Sequence, residues 1–325
     1  MKHETTIVSK LSAAIGAALL LAPFLAGAPP QGLRSPKPGM TKPRTQNELN
    51  KLASARDKYQ FYIVDVEGSQ YVQMFGINNS RLAAGFYSDA DGHSHSFLWW
   101  NGHQMPLDYP GNSDVAMGDV NNRGLVFGNV GSSDVQHAAV LKLATGTWTL
   151  LPDVTGKSIN LGEKMNDHGI GVGSACNDSW SDCLGWTWDG KAYSFTTIPG
   201  TSNPWEGPYG INDRGEEVGT FEDDKGTHAY LLTHSKLTII DVPGSSGTQG
   251  ADINNAGEIL LFGYPPPDYF VQSGIWRNGV FTPLPTVPNA ATSTVAWGLN
   301  DRGDYCGQWW DDYGSHGFVA LRKSP

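Results

Sequence analysis

The chain has 325 residues with 40 Gly, 20 Pro, 11 Trp, 12 Tyr and 12 Phe, and only 17% of its residues are charged. Charge this sparse excludes a coiled coil or an ordinary disordered chain, and the Gly lacks the three-residue period of collagen. The net charge of −10 conceals an asymmetry: residues 1–58 carry 9 Lys+Arg against 3 Asp+Glu, and the remainder 13 against 29, a net of −16. An acidic body lacks the clustered cations that nucleic acid or an anionic membrane surface requires.

In chain order, Lys2 and Lys10 precede an apolar run from Leu11 to Leu25 that closes on Ala26-Gly27-Ala28. This is the pattern of a secretory signal peptide over residues 1–28, and the run falls short of the roughly 20 residues that span a bilayer. Glu4 and Pro29 depart from the ideal pattern, and an uncleaved anchor is the alternative. Residues 29–58, with Pro29, Pro30, Pro36, Pro38 and Pro43, read as a disordered basic linker. No later apolar run is long enough to cross a membrane, so the expected location is secreted, periplasmic or on the cell surface. Three cysteines suit that compartment. Cys176 and Cys183 flank a short polar stretch, where a hairpin in the right register would join them in a disulfide. Cys306 lies in an apolar strand pattern and reads as a small buried residue rather than a nucleophile.

From residue 59 onward the chain repeats itself. Gly76-Ile77-Asn78-Asn79 returns at Asn121, Asn166, Asn212, Asn254 and Asn300, with spacings of 43, 45, 46, 42 and 46 residues. After each Asn-Asn/Asp-x-Gly comes a short apolar stretch, then a strand that often opens with His (His95, His137, His228, His316), then a final apolar strand. Four short strands per unit of about 44 residues predict a six-bladed β-propeller over residues 59–325. The last unit stops after its third strand, and Tyr62–Gly68 resembles the missing fourth one, Thr238–Gly244. An N-terminal strand that completes the last blade would close the ring.

The pattern Gly-Ile-Asn-Asp-x-Gly…Gly…His-Ala-Phe resembles the HAF-type repeats of exported bacterial proteins across nearly all of residues 60–325. The resemblance implies an exported, propeller-like repeat protein and assigns no general chemistry. The chain departs from the pattern at Cys183-Leu184-Gly185-Trp186, at Gln272-Ser273-Gly274-Ile275, and at Arg81, where the turn Gly is expected. Local irregularity is expected in those blades.

The repeated Asn and Gly read as turn residues, and the repeated His as a structural hydrogen-bonding group. Antiparallel connectivity places the Asn turns on one face of the ring and the remaining loops on the other. The candidate ligand-binding residues are Trp205, Trp309, Trp310, Asp311 and Asp312 toward that second face, with Phe75, Tyr209 and Trp297 at one repeat position on the strand expected to line the channel. Aromatic rings beside carboxylates suit a neutral sugar or a small cation. Asp89 and Asp91 follow part of a calcium-loop pattern, too incomplete to require the ion, and no Cys/His spacing points to zinc. Catalytic motifs for Ser hydrolases, zinc peptidases and phosphate-binding loops are missing. The expectation is a monomeric, non-enzymatic binding or interaction module for a glycan, peptide or envelope component, without a cofactor. A polysaccharide lyase or glycoside hydrolase at the channel mouth is the alternative, and a purely structural module a third reading.

Overall fold

The computed structural model describes residues 57–69, 71–111, 114–132, 134–198, 207–234, 236–264, 271–288, 290, 294–311 and 314–323. The signal peptide, almost all of the linker, Trp205 and Asp312 lie outside the described residues. Every regular element among the described residues is a β-strand, and none is a helix long and apolar enough to cross a membrane.

The chain opens with β1 (Tyr59–Val64). The first repeat supplies β2 (Tyr71–Ile77), β3 (Ala83–Ser88), β4 (Ser94–Trp100) and β5 (His103–Leu107). The second supplies β6 (Val115–Val120), β7 (Leu125–Gly131), β8 (Gln136–Lys142) and β9 (Thr147–Leu150), and the third β10 (Ile159–Met165), β11 (Gly171–Cys176), β12 (Cys183–Trp188) and β13 (Tyr193–Phe195). The fourth holds β14 (Gly207–Ile211), β15 (Glu217–Asp223), β16 (Gly226–Thr233) and β17 (Lys236–Ile240). The fifth holds β18 (Thr248–Ile253), β19 (Ile259–Gly263), β20 (Gln272–Arg277) and β21 (Val280–Pro283). The last has only β22 (Thr294–Leu299), β23 (Tyr305–Trp310) and β24 (Ser315–Arg322) of its own, and β1 pairs antiparallel with β24, Tyr59 opposite Arg322 through Val64 opposite Gly317.

Within each repeat the strands pair antiparallel in sequence order, and single parallel bridges such as Tyr71–Ser315 join some neighbouring repeats into larger sheets. First strands are buried almost throughout, whereas the fourth strands β5, β9, β17 and β21 are largely exposed. Burial on both faces puts the first strands at the centre of the molecule. All six of them carry a register shift three residues before the lead asparagine, at Phe75, Gly118, Glu163, Tyr209, Ala251 and Trp297. A bulge of this kind re-aims side chains and increases local twist.

The lead asparagines do more than cap turns. Asn78 Oδ1 accepts the N–H groups of Ser80 and Leu82, while its Nδ2 donates to the carbonyl of Asn121 in the next repeat. The same donation runs from Asn121 to Asn166, Asn212, Asn254 and Asn300 in turn, and Asn300 donates back to Asn78. A second belt lies beside it: the N–H of Asn79 donates to Asn122 Oδ1, and so on through Asp167, Asp213, Asn255 and Asp301, which donates to Asn79. The lead position needs both an acceptor and an amide donor, so it is always Asn. The second needs only an acceptor, so both Asn and Asp occur there.

Arg81 keeps the first turn regular. It adopts φ 65° where other repeats use Gly, and its N–H still donates to Asn78 O. Its guanidinium crosses to the last repeat, bonding Asp304, which is fully buried, and the carbonyl of Arg322.

The repeated histidines act as clamps. His228 lies between Asp241 after β17 (2.7 Å) and Asp223 at the end of β15 (3.2 Å), with its ring stacked on Phe221. His316 repeats this with Asp65, Asp311 and Trp309, and His95 keeps the half that involves Asp89 and Tyr87. Cys176 and Cys183 face each other across the β11–β12 hairpin and form a disulfide, with S–S 2.01 Å. Cys306 is buried and free, and burial pushes its thiol up to about 12, well away from a nucleophilic thiolate.

Candidate functional site

The central strands stack their side chains in layers around the axis. Two residues before each lead asparagine stand Gly76, Asp119, Lys164, Gly210, Asp252 and Gly298. Lys164, 3% exposed, reaches across this layer. Its Nζ donates to Phe75 O at 2.5 Å, sits 3.5 Å from Asp119 and 3.3 Å from Asp252, and lies 5.0 Å from the centre of the Phe75 ring. The glycines make room for the aspartates: a Cβ on Gly76 would stand 2.3 Å from Asp119 Oδ1, and one on Gly210 2.7 Å from Asp252 Cα.

Burial opposes the lysine's charge, but Asp252 and Asp119 outweigh it and hold Lys164 up at about 12. One ammonium cannot neutralise two carboxylates in a dry site, so burial pushes Asp252 up to about 6. Backbone donors complete the cluster, Met165 N–H to Asp119 Oδ2 and Leu299 N–H to Asp252 Oδ2. This layer and the two belts together line a depression at the asparagine end of the axis. Its polar groups are matched to one another, as a structural seal requires.

The next layer is different. It holds Phe75, Gly118, Glu163, Tyr209, Ala251 and Trp297. Phe75 and Trp297 are buried and stack on one another at 5.8 Å, with Phe262 edge-on to Trp297. Glu163 is only 7% exposed. Burial pushes it up to about 8, against the pull of Lys164, so it is largely protonated at neutral pH. Tyr209, half-buried, is raised well above the usual phenol range by burial and by the Glu163 charge. Gly118 lets the Phe75 ring close in, since a Cβ there would stand 3.0 Å from Phe75 Cβ. Nearby donors are unmatched among the described residues, including Trp297 Nε1 and Gln73 Nε2.

Of the residues singled out from the sequence, Phe75, Tyr209 and Trp297 therefore meet in one axial layer. Trp309, Trp310 and Asp311 lie apart from it, at the far end of β23. Trp309 and Trp310 are half-buried against the core around Tyr305 and Phe318, and Asp311 accepts Gly314 N–H beside His316. Asp89 Oδ1 accepts the N–H groups of Asp91 and His93, and Oδ2 faces His95. Among the described residues no group of three or more His, Cys, Asp or Glu is placed to hold a metal.

Sequence reasoning missed Glu163 and Lys164. Aligning the repeats on the lead asparagine exposes both, since Glu163 shares the column of Phe75, Tyr209 and Trp297, and Lys164 that of Asp119 and Asp252.

No family model matches the chain, and no curated protein matches it. Solved structures share its fold. AofleA from Arthrobotrys oligospora superposes with a TM-score of 0.55 at 10% identity, over 82% of this chain and 87% of that one. The lectin SapL1, solved with alpha methyl fucoside, gives 0.51 at 12% identity over 79% and 94%. A protein provisionally named as a gluconolactonase gives 0.51 at 12% over 82% and 93%. At such identities the likeness is one of fold: an all-β chain of the β-propeller kind.

Proposed function

We propose that the chain is an exported HAF-type six-bladed β-propeller, closed by β1, that acts as a non-enzymatic binding module for a glycan or cell-envelope component. The ligand enters from the end opposite the asparagine belts and meets Tyr209 and Glu163. Trp309, Trp310 and Asp311 flank the approach, and Trp205 and Asp312, outside the described residues, are further candidates from the sequence. The observation that carries this reading is the contrast between two adjacent axial layers. The Lys164 layer bonds its charged groups to one another and to the backbone, whereas the Glu163 layer keeps a carboxyl that burial holds largely protonated beside a phenol and aromatic rings, with Trp297 Nε1 and Gln73 Nε2 unmatched among the described residues. Buried donors left unmatched are costly unless something else completes them. A neutral sugar fits, offering hydroxyls to Glu163 and Tyr209 and an apolar face to the rings. Screening the mature chain against immobilised glycans and peptidoglycan fragments tests this reading. Retention that disappears in folded Trp205→Ala or Tyr209→Phe supports it, and failure to retain any of them contradicts it.

A second reading rests on Glu163 alone. A carboxyl held protonated near neutral pH has the property of a general acid, as a glycoside hydrolase or lyase needs. New reducing ends or unsaturated products from a polysaccharide panel, lost in Glu163→Gln, would favour catalysis over binding.

A further inference from the structure

A groove of about 510 Å³ separates the second and third repeats on the outside of the molecule. One wall is the β8–β9 ladder, where Val140 pairs with Thr149 and Lys142 with Thr147, so that these four side chains share a face. Across from them stands Trp188 at the end of β12.

The repeat shows what is missing there. Trp99 and Trp188 occupy the same place in the first and third repeats, each two residues past the partner of an equivalent glycine, Gly85 or Gly173. Trp99 is 2% exposed because Tyr62 of β1 packs against it, with ring centroids 5.2 Å apart. Tyr62 pairs with Val319, three residues after His316, just as Thr149 pairs with Val140, three residues after His137. The second repeat thus places a threonine where the last places a tyrosine ring. Trp188 stays half-buried, with Tyr193 against it at 4.8 Å and the groove beside it.

We propose that this groove is a saccharide site that takes one hexopyranose ring, with a preference for a hexuronate. The ring occupies the volume that Tyr62 fills on Trp99, and lays its C–H face on Trp188. Thr149 and the hydrogen-bonded pair Thr145–Thr147 meet its hydroxyls. Lys142 is the one ionisable group among the described lining residues, and its ammonium meets the sugar carboxylate. Neither Glu163 nor Tyr209 lines the groove, so the site stands apart from the axial one.

Titration of the full chain with D-glucuronate, D-galacturonate and D-glucose, followed by tryptophan fluorescence and saturation-transfer NMR, tests the site. A uronate is expected to saturate the protein and to bind about fivefold or more tighter than glucose. Thr149→Tyr rebuilds the Tyr62–Trp99 packing; it is expected to weaken uronate binding at least about tenfold with the melting temperature held or raised. Lys142→Ala is expected to abolish the preference for uronate over glucose. No saturable binding of any of the three sugars overturns the proposal, as does uronate binding that Thr149→Tyr leaves intact. Loss of binding in Glu163→Gln but not in Thr149→Tyr would move the sugar to the axis and also overturn it.

Discussion

His316 Nδ1 lies 2.7 Å from Asp65 Oδ1, across 251 residues of sequence. The same 2.7 Å separates His137 from Asp153 and His228 from Asp241, each within one repeat. In those repeats the histidine belongs to the third strand and the aspartate follows the fourth. The N-terminal strand β1 therefore stands to β24 as β9 stands to β8, with the clamp as well as the ladder reproduced.

A chain starting at residue 57 is expected to melt with the full chain, because β1 begins at Tyr59. A chain starting at residue 68 loses β1 and uncovers Phe318 and Val319, both fully buried in the intact molecule. Its melting temperature is expected to fall by about 10 °C or more, since several kcal/mol of apolar burial are lost together. Differential scanning calorimetry of the two truncations decides the point. Equal transitions would show that the strand is an ornament.

Stability should decline from pH 6 to pH 9. Burial lowers the affinity of His228 and His316 for a proton, but their aspartates outweigh it and raise both above the ordinary histidine value. A raised histidine contributes stability that is fully present below its unfolded pKa, near 6.5, and is lost as pH rises through the folded one. Glu163 acts in the same direction: its folded value of about 8 exceeds the unfolded value near 4.5, so ionisation above pH 5 costs progressively more in the native state. Melting curves should flatten with pH in His316→Gln and Glu163→Gln, and most between pH 6 and 8 in the latter. An unchanged slope in both variants would contradict these assignments.

The belts predict an asymmetry between neighbouring residues. Asn166→Asp removes the Nδ2 donor to Asn212 O while keeping the turn acceptor, and is expected to cost about 1–3 kcal/mol. Asp167→Asn keeps the Oδ1 that accepts the Asn122 N–H and gives up only the exposed contact of Oδ2 with Asn122 Nδ2, and is expected to stay within about 0.5 kcal/mol. Urea unfolding of both variants measures the difference, and equal costs would remove the belt as its explanation.

Arg81→Gly relieves a left-handed non-Gly backbone but strands part of the buried Asp304 carboxylate. The loss of the charged hydrogen bonds should outweigh the gain, for a net destabilisation of about 1–2 kcal/mol. A more stable variant in the same urea assay would show that the seam between first and last repeats does not depend on this arginine.

Much of this architecture is legible in the sequence because a six-fold repeat makes local signals unmistakable. Asn78 and its equivalents announce a turn through residues that are adjacent in the chain, and Tyr62–Gly68 announces a strand that belongs elsewhere. What escaped depends on partners in other repeats. The second half of each asparagine amide works only because another repeat's carbonyl is beside it. Lys164 looks like a surface lysine until Asp119 and Asp252 are brought round the axis to face it. Glu163 likewise gains its meaning from Tyr209, the residue that shares its layer.

The most direct test of the account is calorimetric titration, at pH 7, of whichever immobilised glycan retains the chain most strongly, comparing wild type with Glu163→Gln and Tyr209→Phe. Both substitutions keep shape and remove one polar atom or its ionisation. The account predicts affinity at least about tenfold weaker in each, with neither melting temperature more than about 2 °C below wild type. Wild-type affinity in both variants would contradict it.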